Sequence, residues 1–248
     1  MAENEKQFES NIEAFLISPV GGYEKATDAG YISSSGMALD IHTLVEFVKV
    51  TQPIMWKRFE KRCNSDPYKK FYKCFEDAVQ MDGLLFVMRH GFKHRGLEFK
   101  ICYFKPESTL NDGAVKRYEQ NVCQCIRQWH YSEQNNNSVD MMLAINGIPV
   151  VAIELKNQLT GQTVDNAKLQ WQYDRDQREP AFWLNHRILA YFAVDLYEAW
   201  MATELKGTDT YFLPFNQGSN GAGNDGGAGN PQAVSYTHLR AHETDSYL

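Results

Sequence analysis

The residues best suited to chemistry lie in NSVDMMLAINGIPVVAIELKNQ (137–158), where Asp140 precedes Glu154 and Lys156 across an Asn146-Gly147 pair. Two alternating apolar runs joined at Asn-Gly form a β-hairpin. Register then decides the chemistry, because a one-residue slip turns every side chain to the other face. A two-residue loop pairing Ile145 with Ile148 sets Asp140 across from Ile153 and sends Glu154 to the opposite face. A three-residue loop with Gly147 at its apex, or an equivalent bulge, brings Asp140 opposite Glu154, with Lys156 on the same face by period-2 alternation. Facing Cβ atoms are then ~4.5–5.5 Å apart, near enough for both carboxylates to reach one ion. Two hard oxygen ligands hold Mg²⁺ and leave positions for water and phosphate. Such a metal activates a bound water, and the neighbouring amine orients that water or steadies negative charge at phosphorus. The spacing has decoys: Glu98 and Lys100 follow Asp82, and Glu204 and Lys206 follow Asp195. Only Glu154 ends an apolar run (150–153) fit for a central strand with its aspartate across a short hairpin, so residues 140, 154 and 156 are preferred.

The elements that must position this trio are legible around it. Strands are expected over 122–129, 139–145 and Ile148–Leu155, a helix over 163–178 opened by the cap residues Thr163 and Asp165, and further strands over 187–194 and 199–205. Upstream, residues 5–17 place Phe8, Ile12, Phe15 and Leu16 at helical spacing with Glu9 and Glu13 beside the stripe. A second helix is expected over 41–63, with Lys57, Arg58, Lys61 and Arg62 near its C-terminus, where cations suit the helix dipole. The apolar runs 84–88 and 99–104, joined by the basic RHGFKHRG, read as a hairpin or two strands around a charged loop.

Composition bounds the rest. A chain of 248 residues forms one large or two small domains and buries a core without disulfides or structural metal. With 43% hydrophobic and 23% charged residues it is neither wholly disordered nor collagen-like nor a coiled coil. A net charge of −6 excludes a uniformly basic coat for DNA, yet residues 57–105 carry 12 Lys/Arg against 6 Asp/Glu while the remainder carries 13 against 25. That local block suits a polyanion, and Arg89, Lys93, Arg95 and Lys100 are the DNA-backbone candidates. The acidic N-terminus has no signal-peptide core, and no run is long enough to span a membrane. The five cysteines read as reduced thiols of a cytoplasmic protein, Cys123 and Cys125 as core residues rather than metal ligands. Without a GxxxxGK[ST] phosphate loop the chain is not expected to hydrolyse ATP by itself, and without helix-turn-helix or zinc-finger spacing it is not expected to select a DNA site. The domain is placed at 1–217 and a Gly/Asn-rich linker at 218–233, while VSYTHLRAHETDSYL (234–248) continues nothing before it and reads as a non-native scar.

An aspartate followed by Glu-x-Lys on the next strand is the arrangement of metal-dependent phosphodiesterases of the restriction-endonuclease type. Together with YFKP (103–106), NGIPVVAIELKN (146–157), NAKLQWQYDRD (166–176) and TELKGTDTYFLPFNQG (203–218), it makes residues 5–231 resemble the N-terminal region of the R subunit of type I restriction–modification enzymes. The resemblance implies an α/β, restriction-endonuclease-like fold, a mixed central sheet flanked by helices. It also implies Mg²⁺-dependent cleavage of double-stranded DNA, with ATP used only by helicase-like motor domains that follow in the family, and with specificity and methyltransferase subunits as partners. Carried over residue by residue, it makes Asp140 and Glu154 the metal ligands, Lys156 the catalytic lysine and Gln170 the glutamine of a Gln-x-x-x-Tyr motif. Tyr173 follows three residues later rather than four. Glu9 fits the family's accessory N-terminal glutamate better than Glu13. Two rivals are a stand-alone repair or recombination nuclease of the same fold and a docking module that does not cut.

Overall fold

The protein is described by a computed structural model, which covers residues 3–31, 38–63, 66–108 and 110–215. Helix α1 (Glu3–Leu16) buries Phe8, Ile12 and Leu16, one residue per turn along a single stripe. After the short strand β1 (Glu24–Ala26), four helices and a small hairpin form a lobe of their own. The single helix expected over 41–63 is two: α2 (Ile41–Thr51), opened by the Asp40 carboxylate accepting from the amides of His42 and Thr43, and α3 (Pro53–Glu60). Pro53 cannot donate the hydrogen bond that would carry α2 onward, but it suits the first turn of a new helix. Helix α4 (Pro67–Asp82) went unread in the sequence although its signals are plain: Asp66 caps it, Pro67 occupies its first turn, and Phe71, Cys74, Phe75 and Val79 are buried at helical spacing.

Residues 84–88, expected as a strand, lie in the helix α5 (Leu84–His90) between Gly83 (φ 82°) and Gly91 (φ 73°). Its Leu84, Val87 and Met88 are buried while Leu85 and Phe86 are exposed, so the run has one apolar face and not two. Of the hairpin, only β2 (Phe92–His94) falls inside the segment expected as a loop; β3 (Leu97–Phe99) ends where the second strand was expected to begin, and residues 100–104 form no strand. The core of this lobe packs Phe59, Phe71 and Phe99 edge to face and includes Ile148 and Val150 from the main sheet.

After α6 (Asp112–Glu119), the strands expected around the site follow: β4 (Cys123–His130), β5 (Ser138–Ile145) and β6 (Ile148–Leu155). Next come α7 (Val164–Leu169), continued by a π-helical turn over Gln170–Asp174, then β7 (Ala190–Val194), β8 (Ala199–Ala202) and β9 (Leu213–Pro214). The helix expected over 163–178 therefore ends earlier and changes its winding. Among the described residues the main sheet has seven strands in the order β1-β4-β5-β6-β7-β8-β9. It is mixed, with β1–β4 and β6–β7 parallel and the other neighbours antiparallel. The segment with α7 supplies the crossover that a parallel β6–β7 pair requires. One face packs Met141, Leu143, Ile153 and Leu155 against α1; the other packs Met142, Ala144 and Ala152 against Val164, Ala167 and Trp171.

The β5–β6 turn fixes the register. Asn146 (φ 51°) and Gly147 (φ 82°) form a two-residue loop with both residues left-handed, and Ile145 pairs with Ile148. A three-residue loop is thus not used; the bulge is. Ala144 faces Pro149 but Leu143 faces Val151, so Val150 is the extra residue and the register shifts by one. From Met141↔Ile153 the next position outward sets Asp140 across from Glu154.

Candidate active site

The bulge brings the two carboxylates together at the end of the ribbon remote from its turn. Asp140 accepts from the Leu155 backbone amide through Oδ2 (2.8 Å) and from the Gln128 amide through Oδ1 (3.3 Å). Glu154 is fully buried, and its carboxylate differs at its two oxygens. Oε1 accepts from Arg175 Nε at 2.8 Å and lies 2.6 Å from Arg175 Nη2, whereas buried Oε2 has no hydrogen-bond partner among the described residues. Burial pushes the Glu154 carboxyl well above its usual range, and the charge of Asp140 adds to the rise. Arg175 and the Lys156 ammonium oppose it, which places the lysine, only 9% exposed, beside the pair.

Glu9 enters from the α1 side. Its Oε2 accepts from Arg127 (2.8 Å to Nη2) and its Oε1 from Gln128 Nε2 (3.2 Å). Glu13, one turn along, pairs instead with Lys25 at 3.0 Å and lies 3.5 Å from Arg127. Burial raises the Glu9 carboxyl, Arg127 pulls it down, and Asp140 raises it further, so of the two glutamates Glu9 is the one that faces Asp140 through Gln128. Gln128 joins the two acids: Nε2 donates to both Glu9 and Asp140 while Oε1 accepts from Ser138 Oγ (2.9 Å). Its backbone is left-handed (φ 50°) in mid-strand, between the pairs Arg127↔Met141 and Trp129↔Val139. A non-glycine residue held there costs about 1–3 kcal/mol, and such strain clusters at functional sites.

The remaining expected residues are placed less tightly. Gln170 is half-buried and Tyr173 is 68% exposed, both on the π-helical turn, and neither side chain makes a hydrogen bond among the described residues. Lys93 pairs with Glu98 at 2.6 Å, Lys100 Nζ donates to the carbonyl of His90 (2.8 Å), and Arg89 is exposed in the last turn of α5. The decoys have local explanations. Glu204 pairs with Lys206, and buried Asp195 accepts from the amides of Val164, Tyr197 and Glu198, tying the start of α7 to the β7–β8 turn. None of the five cysteines is in a disulfide, and burial pushes the Cys125 thiol up to about 12, as suits a core residue.

Two residues of the site carried no signal in the sequence. Arg175 sits in the run DRDQRE, which reads as a solvated face, yet it is buried, donates to the Ser138 carbonyl at 2.7 Å and lies 5.7 Å from the Tyr131 ring centre. Gln128 lies within a strand whose alternation gives no hint of its left-handed backbone.

The donor set fits Mg²⁺. An unpartnered buried oxygen on Glu154 beside Asp140 is the kind of vacancy in hydrogen bonding that a cation relieves. Among the described residues no group of three or more His, Cys, Asp or Glu side chains could hold a metal, so the ligands on offer here are two carboxylates.

A mixed sheet flanked by helices, with an Asp and a Glu-x-Lys converging across a bulged hairpin, defines the restriction-endonuclease-like class. Within it, the family model for the type I restriction enzyme R protein N terminus matches residues 49–220, and the chain belongs to that family. The match covers Asp140, Glu154, Lys156, Gln170, Tyr173 and Arg175 but not Glu9. No curated protein matches the chain. No described helix is long and apolar enough to cross a membrane.

Proposed function

We propose that the chain is the Mg²⁺-dependent endonuclease domain of a type I restriction enzyme R subunit, which hydrolyses phosphodiester bonds of double-stranded DNA in the cytoplasm. Motor domains would couple cutting to ATP, and methyltransferase and specificity subunits would select the DNA. The observation that carries this reading is the buried Glu154 carboxylate, one oxygen bound by Arg175 and the other unpartnered, beside Asp140 and Lys156. Asp140 and Glu154 Oε2 are the ligands for the cation. When bound, Mg²⁺ polarises a phosphoryl oxygen and lowers the pKa of a coordinated water. Arg175 fixes Glu154 so that Oε2 alone is presented, and Gln128 fixes Asp140 against Glu9. The largely buried Lys156 ammonium stabilises negative charge developing on the phosphate.

The test is plasmid cleavage by a complete R subunit carrying this domain, assembled with its partners, as wild type, Glu154→Ala and Lys156→Ala. Loss of cutting by at least ~100-fold in both, the scale for removing one transition-state contact, with ATP turnover retained, is expected. Equal cutting by all three proteins would end the catalytic assignment.

A further inference from the structure

A second concentration of charge lies on the helical lobe. Beyond the end of α3, Arg62 and Cys63 meet Lys70 of α4 and His94-Arg95 of the β2–β3 hairpin, over a floor of Phe59 and Leu97. The Arg62 guanidinium donates to the Arg95 carbonyl at 3.0 Å, which ties the end of α3 to the hairpin turn. Arg95 itself is left-handed (φ 47°), ahead of Gly96 (φ 77°), so the two-residue turn holds an arginine where a non-glycine residue is strained. Among the described residues no carboxylate forms an ion pair with Arg62, Lys70 or Arg95. Glu60 and Asp77 act on the neighbouring Cys63 and His94 only at range. The imidazole of His94 senses the imbalance: burial first, then Arg95 and Lys70, lower its pKa against a weaker upward pull from Asp77.

Three cations that converge without an ion-paired carboxylate repel one another, and an anion seated between them relieves that repulsion. The cleft encloses only about 10 Å³, no more than one water, so it does not engulf a small molecule. It fits a phosphate offered from outside by a polymer. We propose that Arg62, Lys70 and Arg95 form a seat for a backbone phosphate of duplex DNA, separate from the carboxylate site. Of the cations favoured by sequence alone only Arg95 belongs to it; Lys93 and Lys100 are engaged elsewhere. The choice of DNA as occupant rests on the nuclease reading, whereas the anion site does not. Phe59 and Leu97 share a core with Ile148, at the turn end of the ribbon. Glu154 lies six steps along the strand from Ile148, roughly 20 Å at ~3.3 Å per residue. The seat contacts the DNA backbone only and carries no sequence information.

The experiment is fluorescence anisotropy of a labelled duplex of roughly 30 base pairs with the full chain in EDTA, where nothing is cut, across a salt series. The triple variant Arg62→Gln/Lys70→Gln/Arg95→Gln is expected to bind about tenfold more weakly and to lower the log Kd–log salt slope by about 1, the share of one phosphate. Lys116→Gln, an equal change per site on exposed α6, serves as the surface control. Lys70→Glu alone is expected to reproduce the direction, which guards against misfolding of the triple variant. An unchanged slope in both variants, whatever the affinity, would overturn the seat. Because no metal is present, the result is independent of whether Glu154→Ala abolishes cutting.

Discussion

Asn146 and Glu154 sit on the same hairpin, both polar and both without solvent exposure, and they are treated in opposite ways. Asn146 is fully employed: its Nδ2 donates to the Ile101 carbonyl (2.8 Å) and to Asn121 Oδ1 (3.0 Å), and its Oδ1 accepts from the Val122 amide (2.7 Å). Beside it, a Cβ on Gly147 would come within 2.3 Å of the Asp40 carbonyl, so the turn is clamped against the cap of α2. Glu154 keeps one oxygen unpartnered and faces a second carboxylate. A satisfied buried polar group specifies the fold; an unsatisfied one beside a like charge is sustained against its own desolvation and is where a ligand gains most. One end of the ribbon holds the structure, and the other is held by it.

The sharpest way to break that contrast is to remove the guanidinium. Arg175→Met leaves Glu154 buried without its ion pair and is expected to lower stability by about 3–5 kcal/mol in urea denaturation. Adding Glu154→Leu should recover most of the loss, since replacing both partners removes the uncompensated charge. A loss under ~1 kcal/mol for the single change would mean that Glu154 does not depend on Arg175. At the other end, Asn146→Ala leaves the Val122 amide and the Ile101 carbonyl without that side chain and puts an alanine at a left-handed position, an expected cost of about 2–3 kcal/mol. Its Mn²⁺ affinity by calorimetry should stay at the wild-type value, which separates folding from function.

This contrast also explains what the sequence could and could not tell. The trio, the strands carrying it and the need for a shifted register followed from alternation around Asn146-Gly147, because period 2 and turn chemistry are local. That the shift arises at Val150 rather than within the loop was not readable, since Pro149 and the docking of Gly147 on Asp40 act through tertiary contact. The run 84–88 misled because five consecutive apolar residues carry no periodicity; glycines at both ends were the available cue for α5. Helix α4 was missed despite its cap, proline and stripe. Arg175 was invisible for a different reason: its burial depends on Glu154, 21 residues away, and on the carbonyl of Ser138.

Protons should compete with the cation at the functional end only. Burial and Asp140 hold the Glu154 carboxyl protonated above the ordinary 4.5, so Mn²⁺ affinity should climb with pH across the window above that value. The stability sign is the reverse: within that window the native state binds more protons than the unfolded chain, so this group's contribution to stability declines as pH rises. Glu154→Gln should flatten both trends, measured as Kd and urea midpoint against pH, whereas a metal affinity constant down to pH 4.5 would show that Glu154 is not a ligand.

The smallest effect is expected at Tyr173, the expected residue that the fold leaves most open. Its ring is 68% exposed on a π-helical turn and supports no core, so Tyr173→Phe should alter stability by less than about 0.5 kcal/mol. If the hydroxyl meets a DNA phosphate, its removal costs one hydrogen bond to an anion, about 1.5 kcal/mol at the solvent-exposed end of the range, or roughly a tenfold loss of DNA affinity in EDTA. Because a π turn holds more residues per turn than an α turn, Gln170 and Tyr173 point further apart around its axis and need not contact the same phosphate. The double variant Gln170→Ala/Tyr173→Phe should then show additive losses within about 0.5 kcal/mol. Strong coupling between them would instead place both on one phosphate, and wild-type affinity in both single variants would remove the π turn from the DNA surface.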